Sequence, residues 1–118
     1  MKLESEAQEK CIKLIRKYGG YVYKNAQNMY TEKGRPDLTA CIPITIDKFV
    51  ETFGVDKKIG LFIGLEIKRD KDSSYDVTQA QQIVGNKIKK ASGLWFKIDD
   101  VDILEALLHK LTEDTNAI

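Results

Sequence analysis

The run LFIGLEIK at residues 61–68 constrains this chain more than any other stretch. Its apolar, partly β-branched character predicts a strand, and the near-continuity of that character predicts a central strand covered on both faces. Glu66 and Lys68 break the pattern. Two apart on a strand, they point to the same face. Burying an unpaired charge is expensive even after relaxation. The pair therefore marks a wet strand end, a buried structural ion pair, or a metal site with a lysine beside it.

The rest of the chain supplies the frame. Residues 4–18 carry Ala7, Cys11, Ile12, Leu14, Ile15 and Tyr18 at helical spacing, and Gly19-Gly20 stops that helix. YVYKN at 21–25 and DLTACI at 37–42 predict two strands, separated by a polar loop ending in Gly34-Arg35-Pro36. Thr45 is placed to cap a short helix through Phe53. Asp76 with Gln79 reads as a capping box opening a helix to about Ser92. LWFKI at 94–98 predicts a fourth strand. Asp99 or Asp100 then caps a last helix with Val101, Ile103, Leu104, Leu107, Leu108 and Leu111 as its buried stripe. Residues 112–118 read as a frayed tail. The expected architecture is a single α/β domain over residues 1–118, a small mixed sheet flanked by helices.

Bulk properties exclude several classes. With 118 residues and 42% hydrophobic content, one domain can build a core without staples. A net charge of +1 leaves no global basic field, so any nucleic-acid partner must be held by a local patch. Two cysteines and one histidine are too few for structural zinc. Cys11 and Cys41 read as reduced core residues of a cytosolic protein. The charged start argues against a signal peptide, and no apolar run approaches the ~20 residues of a membrane span. The expected location is cytoplasmic.

Asp37 changes the weight of the Glu66/Lys68 pair. It opens the second strand directly behind the Pro36 turn. If the second and third strands pair as an antiparallel hairpin, Asp37 lies near Glu66. Two carboxylates and the backbone carbonyl of Ile67 make a hard-oxygen site suited to Mg²⁺ or Mn²⁺. A lysine beside them can orient the attacking water or stabilise an anionic oxygen. This is an inventory for phosphodiester hydrolysis.

GRPDL, then LEIK with its glutamate 29 positions after Asp37, then VTQAQ, resembles the PD-(D/E)xK nuclease superfamily. More closely, it is similar to the VRR-NUC group, the virus-type replication-repair nucleases, over residues 4 to 104. The resemblance implies a restriction-endonuclease-like αβββαβ core and a Mg²⁺- or Mn²⁺-dependent DNA endonuclease. By that resemblance Asp37, Glu66 and the Ile67 carbonyl hold metal, Lys68 is the catalytic lysine, and Gln81 faces the site. A first-helix glutamate is also implied. Glu4 fits best, one turn before Gln8, with Glu6 and, less well, Glu9 as alternatives. Stand-alone members of the group imply a structure-selective enzyme leaving 5′-phosphate and 3′-hydroxyl ends. A homodimer resolving Holliday junctions in a phage replication-repair setting is the expected form. The rivals are a flap, nicking or restriction-type nuclease of the same fold, a non-catalytic DNA-binding module, and a structural ion pair in an ordinary α/β domain.

Arg35, Arg69, Lys87, Lys89 and Lys90, with Lys71, are the candidate phosphate contacts. A charge run is more often a solvated face. Tyr21, Tyr23 and Tyr30 read as packing rather than base-stacking residues, and Trp95 as core or dimer interface. His109 has no catalytic partner in view and suits a helix C-terminus.

Overall fold

The computed structural model describes residues 2–68 and 77–112. Along the chain run α1 (Lys2–Lys17), β1 (Tyr21–Lys24), β2 (Leu38–Cys41), α2 (Ile46–Phe53), β3 (Ile63–Ile67), α3 (Gln79–Lys90), β4 (Leu94–Ile98) and α4 (Val101–Thr112). Among the described residues the architecture is mixed α/β: four helices and two small sheets.

β1 and β2 form an antiparallel pair in which Tyr21 faces Cys41 and Lys24 faces Leu38. β3 and β4 run parallel, with Glu66 opposite Lys97, and α3 makes the crossover between them. Backbone bonds extend the parallel ladder at both ends: Leu94 N–H donates to the Phe62 carbonyl (3.0 Å), and Lys68 N–H to that of Ile98 (2.8 Å). The sheets abut where the Tyr21 and Phe62 rings meet edge-on at 6.2 Å. There too the Cys41 thiol lies 3.5 Å from the Ala91 carbonyl. Ile12, Val22, Cys41, Ile88, Ala91 and Ile98 are the buried apolar residues around this junction.

Five expectations are revised. β2 and β3 do not form a hairpin ladder among the described residues; each pairs with another strand, and Pro43, which lacks an N–H, follows close behind β2. β3 is covered on one face only. A Cβ on Gly64 would lie 2.9 Å from Ile88 of α3, whereas the Ile67 side chain, on the opposite face, is 62% exposed. The stripe of α4 is not buried: Val101 is 71% exposed and Ile103, Leu108 and Leu111 are open as well. Cys11 is exposed on α1, because Ile12 and Ile15 supply its inward face. The capping box of α3 is formed by Thr78 and Gln81; Asp76 lies outside the described residues.

Elsewhere local chemistry acts as expected. Thr45 Oγ1 accepts from Lys48 N–H and caps α2. Asp100 Oδ1 accepts from Asp102 N–H at the start of α4. Gly34 has φ +86°, a conformation costly for any residue with a Cβ, and so allows the turn into Arg35-Pro36-Asp37. Gly85 serves close approach: a Cβ there would sit 2.6 Å from the Trp95 indole. Trp95 is thus half-buried packing beneath α3, with Lys89 Nζ 5.3 Å from its ring centroid.

Candidate metal and phosphodiester site

The site residues fall into two groups, one on each sheet. The first is built around the turn before β2. Asn25, just past β1, donates from its backbone N–H to the Asp37 carbonyl (2.9 Å). Its side-chain amide donates to the Pro36 carbonyl and to Thr39 Oγ1, both at 2.8 Å. Its Oδ1 accepts from Arg35 Nη2 at 3.1 Å. Gln27 adds longer bonds to the Arg35 and Pro36 carbonyls, 3.3 and 3.4 Å. Asn25 therefore holds the turn on three sides and fixes where Asp37 leaves it. α1 brings Glu4 to the same place. Glu4, Ser5, Gln8, Gln27 and Asp37 line one cavity of about 310 Å³.

This arrangement separates the three glutamates of α1. Glu6 and Glu9 line a different cavity with Ser5, Lys10 and Lys13. Glu9 pairs with Lys24 at 3.0 Å, and that bond holds its carboxyl below the usual glutamate range. Glu4 is the one that shares a cavity with Asp37.

The second group sits at the end of β3 and the start of α3. Gln81 Oε1 accepts from Thr78 N–H (2.9 Å), closing the capping box, and also from Lys68 Nζ (3.1 Å). Its Nε2 donates to Glu66 Oε2 at 2.8 Å. Lys68 Nζ and Glu66 Oε2 stand 3.9 Å apart, with side chains 11% and 25% exposed. The glutamine bridges acid and base, so each is held by a neutral amide rather than by a tight ion pair.

No family model, curated protein or solved structure matches this chain. What the geometry can do chemically rests on its own residues. Three carboxylates, from Glu4, Asp37 and Glu66, offer hard oxygen donors of the kind Mg²⁺ and Mn²⁺ take. Among the described residues no three His, Cys, Asp or Glu side chains gather closely enough to hold an ion. Glu4 and Asp37 share a cavity, while Glu66 belongs to the Lys68–Gln81 group.

The basic candidates disperse. Arg35 is turned onto Asn25, Lys89 onto Trp95, and Lys87 into a cavity with Arg16. Lys90 is exposed. Arg69 and Lys71 lie outside the described residues. Tyr21 is half-buried and its hydroxyl is shifted upward by burial, then by Tyr23, whereas Tyr30 is exposed and packs little. His109 is exposed on α4. Asn25 and Gln27 escaped sequence reading because they act across 8 to 14 positions. The only signal was polar side chains directly after a strand.

Proposed function

We propose that this chain is a metal-dependent, structure-selective DNA endonuclease of the VRR-NUC group of the PD-(D/E)xK superfamily, with its αβββαβ core, working in the cytoplasm. The observation that carries the reading is the Glu66–Gln81–Lys68 bridge, at 2.8 and 3.1 Å. Strand spacing singled out Glu66 and Lys68, the family resemblance added Gln81, and the three side chains meet at one strand end. Asp37, Glu66 and the Ile67 carbonyl would hold Mg²⁺ or Mn²⁺, with Glu4 beside Asp37. When bound, the ion supplies Lewis acidity at the scissile phosphate. Lys68 orients the attacking water as an ammonium or takes its proton as the neutral amine, and Gln81 holds its Nζ at that point. The Asn25 clamp sets the direction of Asp37.

The proposed substrate is a four-way junction, engaged by a homodimer. Exposed apolar side chains on α2 and α4 support self-association, among them Ile46, Phe53, Leu108 and Leu111. No helix among the described residues is long and apolar enough to cross a membrane. A second reading, a non-catalytic DNA-binding module, draws on the carboxylates lying in two groups rather than one.

One assay separates them. Labelled four-way junction, flap and linear duplex are incubated with Mg²⁺, Mn²⁺ or EDTA. Metal-dependent cleavage of the junction is expected, and absence of cleavage on all three sinks the nuclease reading. Lys68→Ala should abolish cleavage while retaining DNA binding; an unfolded Lys68→Ala would point instead to a structural ion pair.

A further inference from the structure

A cavity of about 480 Å³ lies away from the site just described, lined by Arg16 of α1, Tyr21 and Val22 of β1, and Val84 and Lys87 of α3. Its two cations come from different helices. The charge on those helices is segregated. In α1, after Lys2 at its first position, the acids Glu4, Glu6 and Glu9 precede the bases Lys10, Lys13, Arg16 and Lys17. In α3 the neutral Gln79, Gln81 and Gln82 precede Lys87, Lys89 and Lys90. Basic residues near a helix C-terminus also answer the helix dipole, so segregation by itself assigns nothing. The further observation is convergence: of these bases, Arg16 and Lys87 line a single cavity together with Tyr21 and Val22. Lys89 is engaged by Trp95 instead. Glu9, whose carboxyl also feels the Arg16 charge, is paired with Lys24.

We propose that Arg16 and Lys87 form a backbone-phosphate site that holds DNA away from the point of cleavage. The inference rests on the nuclease reading for its partner. It deepens that reading by giving the DNA a direction. Twelve residues of helix separate Glu4 from Arg16, ~18 Å at 1.5 Å per residue. That is about five phosphates of one strand measured along a B-form axis. The strand would run from the carboxylate end of α1 and the glutamine end of α3 toward their basic ends. Tyr21 and Val22 give the phosphate a partly desolvated floor, where a bidentate guanidinium contact is strongest.

The test is fluorescence anisotropy of a labelled four-way junction in EDTA over a salt series, using Arg16→Ala, Lys87→Ala and the double variant. Lys57→Ala/Lys58→Ala serves as the charge-matched control. If both cations hold one phosphate, the log affinity against log salt slope should become shallower by ~0.9 in the double variant, and little less in each single one. The control should leave the slope unchanged. In the cleavage assay the double variant should raise KM about tenfold and leave kcat alone, a loss confined to binding. An unchanged slope in the double variant, or an equal loss in the control, overturns the site. Binding is read without catalysis, so a wild type that binds with the expected slope but never cuts retains this site and loses the nuclease reading. A wild type that cuts, with a double variant binding normally, does the reverse.

Discussion

At the scale of single residues, the side chains that matter are amides rather than charges. Gln81 satisfies a helix N-terminus and holds Glu66 and Lys68 with the same group. Gln81→Ala should cost about 1 kcal/mol of stability through the lost cap, yet lower cleavage far more. Thermal melts and cleavage rates on the same sample check this; a rate loss no larger than the stability loss implies would argue that the bridge is structural. Asn25→Ala should cost about 1 kcal/mol, since it removes the side-chain bonds that hold a largely exposed turn. Glu9 gives a pH signature. Its folded pKa is lowered by Lys24, so its contribution is present above the ordinary glutamate value and lost as pH falls through the lowered one. Glu9→Gln should flatten that acid limb in a plot of melting temperature against pH. These amide roles were the least legible part of the sequence. Gln81 was reached through the family resemblance, whereas the Asn25 side chain acts across 10 to 14 positions and leaves no local pattern.

At the scale of elements, patterning gave most of the helices and strands, because each has its own punctuation. Thr45 and Asp100 start helices and Gly19-Gly20 ends one, whereas the cap of α3 was read at Asp76 and is Thr78. Pairing was less legible. LFIGLEIK reads as a doubly covered strand because its side chains are apolar, but apolarity does not say what lies over each face. Here α3 covers the Gly64 side and leaves Leu65 and Ile67 open. The α3–β4 contact makes a sharp prediction. Gly85→Ala places a Cβ 2.6 Å from Trp95, and overpacking of this kind costs about 1–3 kcal/mol against a helix-propensity gain of about 1. Denaturant titration should show net destabilisation, relieved in Gly85→Ala/Trp95→Phe. The cysteines divide likewise: Cys11, exposed, should react quickly with a disulfide reagent, and Cys41, buried and with its thiol pushed up by burial, slowly.

At the scale of the whole molecule, the chain is open. Its radius of gyration is 17.4 Å, against the ~13 Å usual for a domain of this length. Apolar side chains of α2 and α4 face outward, which composition could not reveal, since the same residues would serve a core or an interface. A species of about twice the 13.4 kDa chain mass is expected in sedimentation equilibrium. Leu108→Asp or Phe53→Asp should shift it to monomer. A wild type that stays monomeric at every concentration would speak against self-association.

The division of the carboxylates between two sheets has a thermodynamic corollary. An ion bridging Asp37 and Glu66 would staple one half of the fold to the other, so occupancy and folding would be linked equilibria. Mn²⁺ should then raise the melting temperature of the wild type, and chelation should lower it again. In Asp37→Asn the ion would hold one half only, and that dependence should vanish while the melt itself remains.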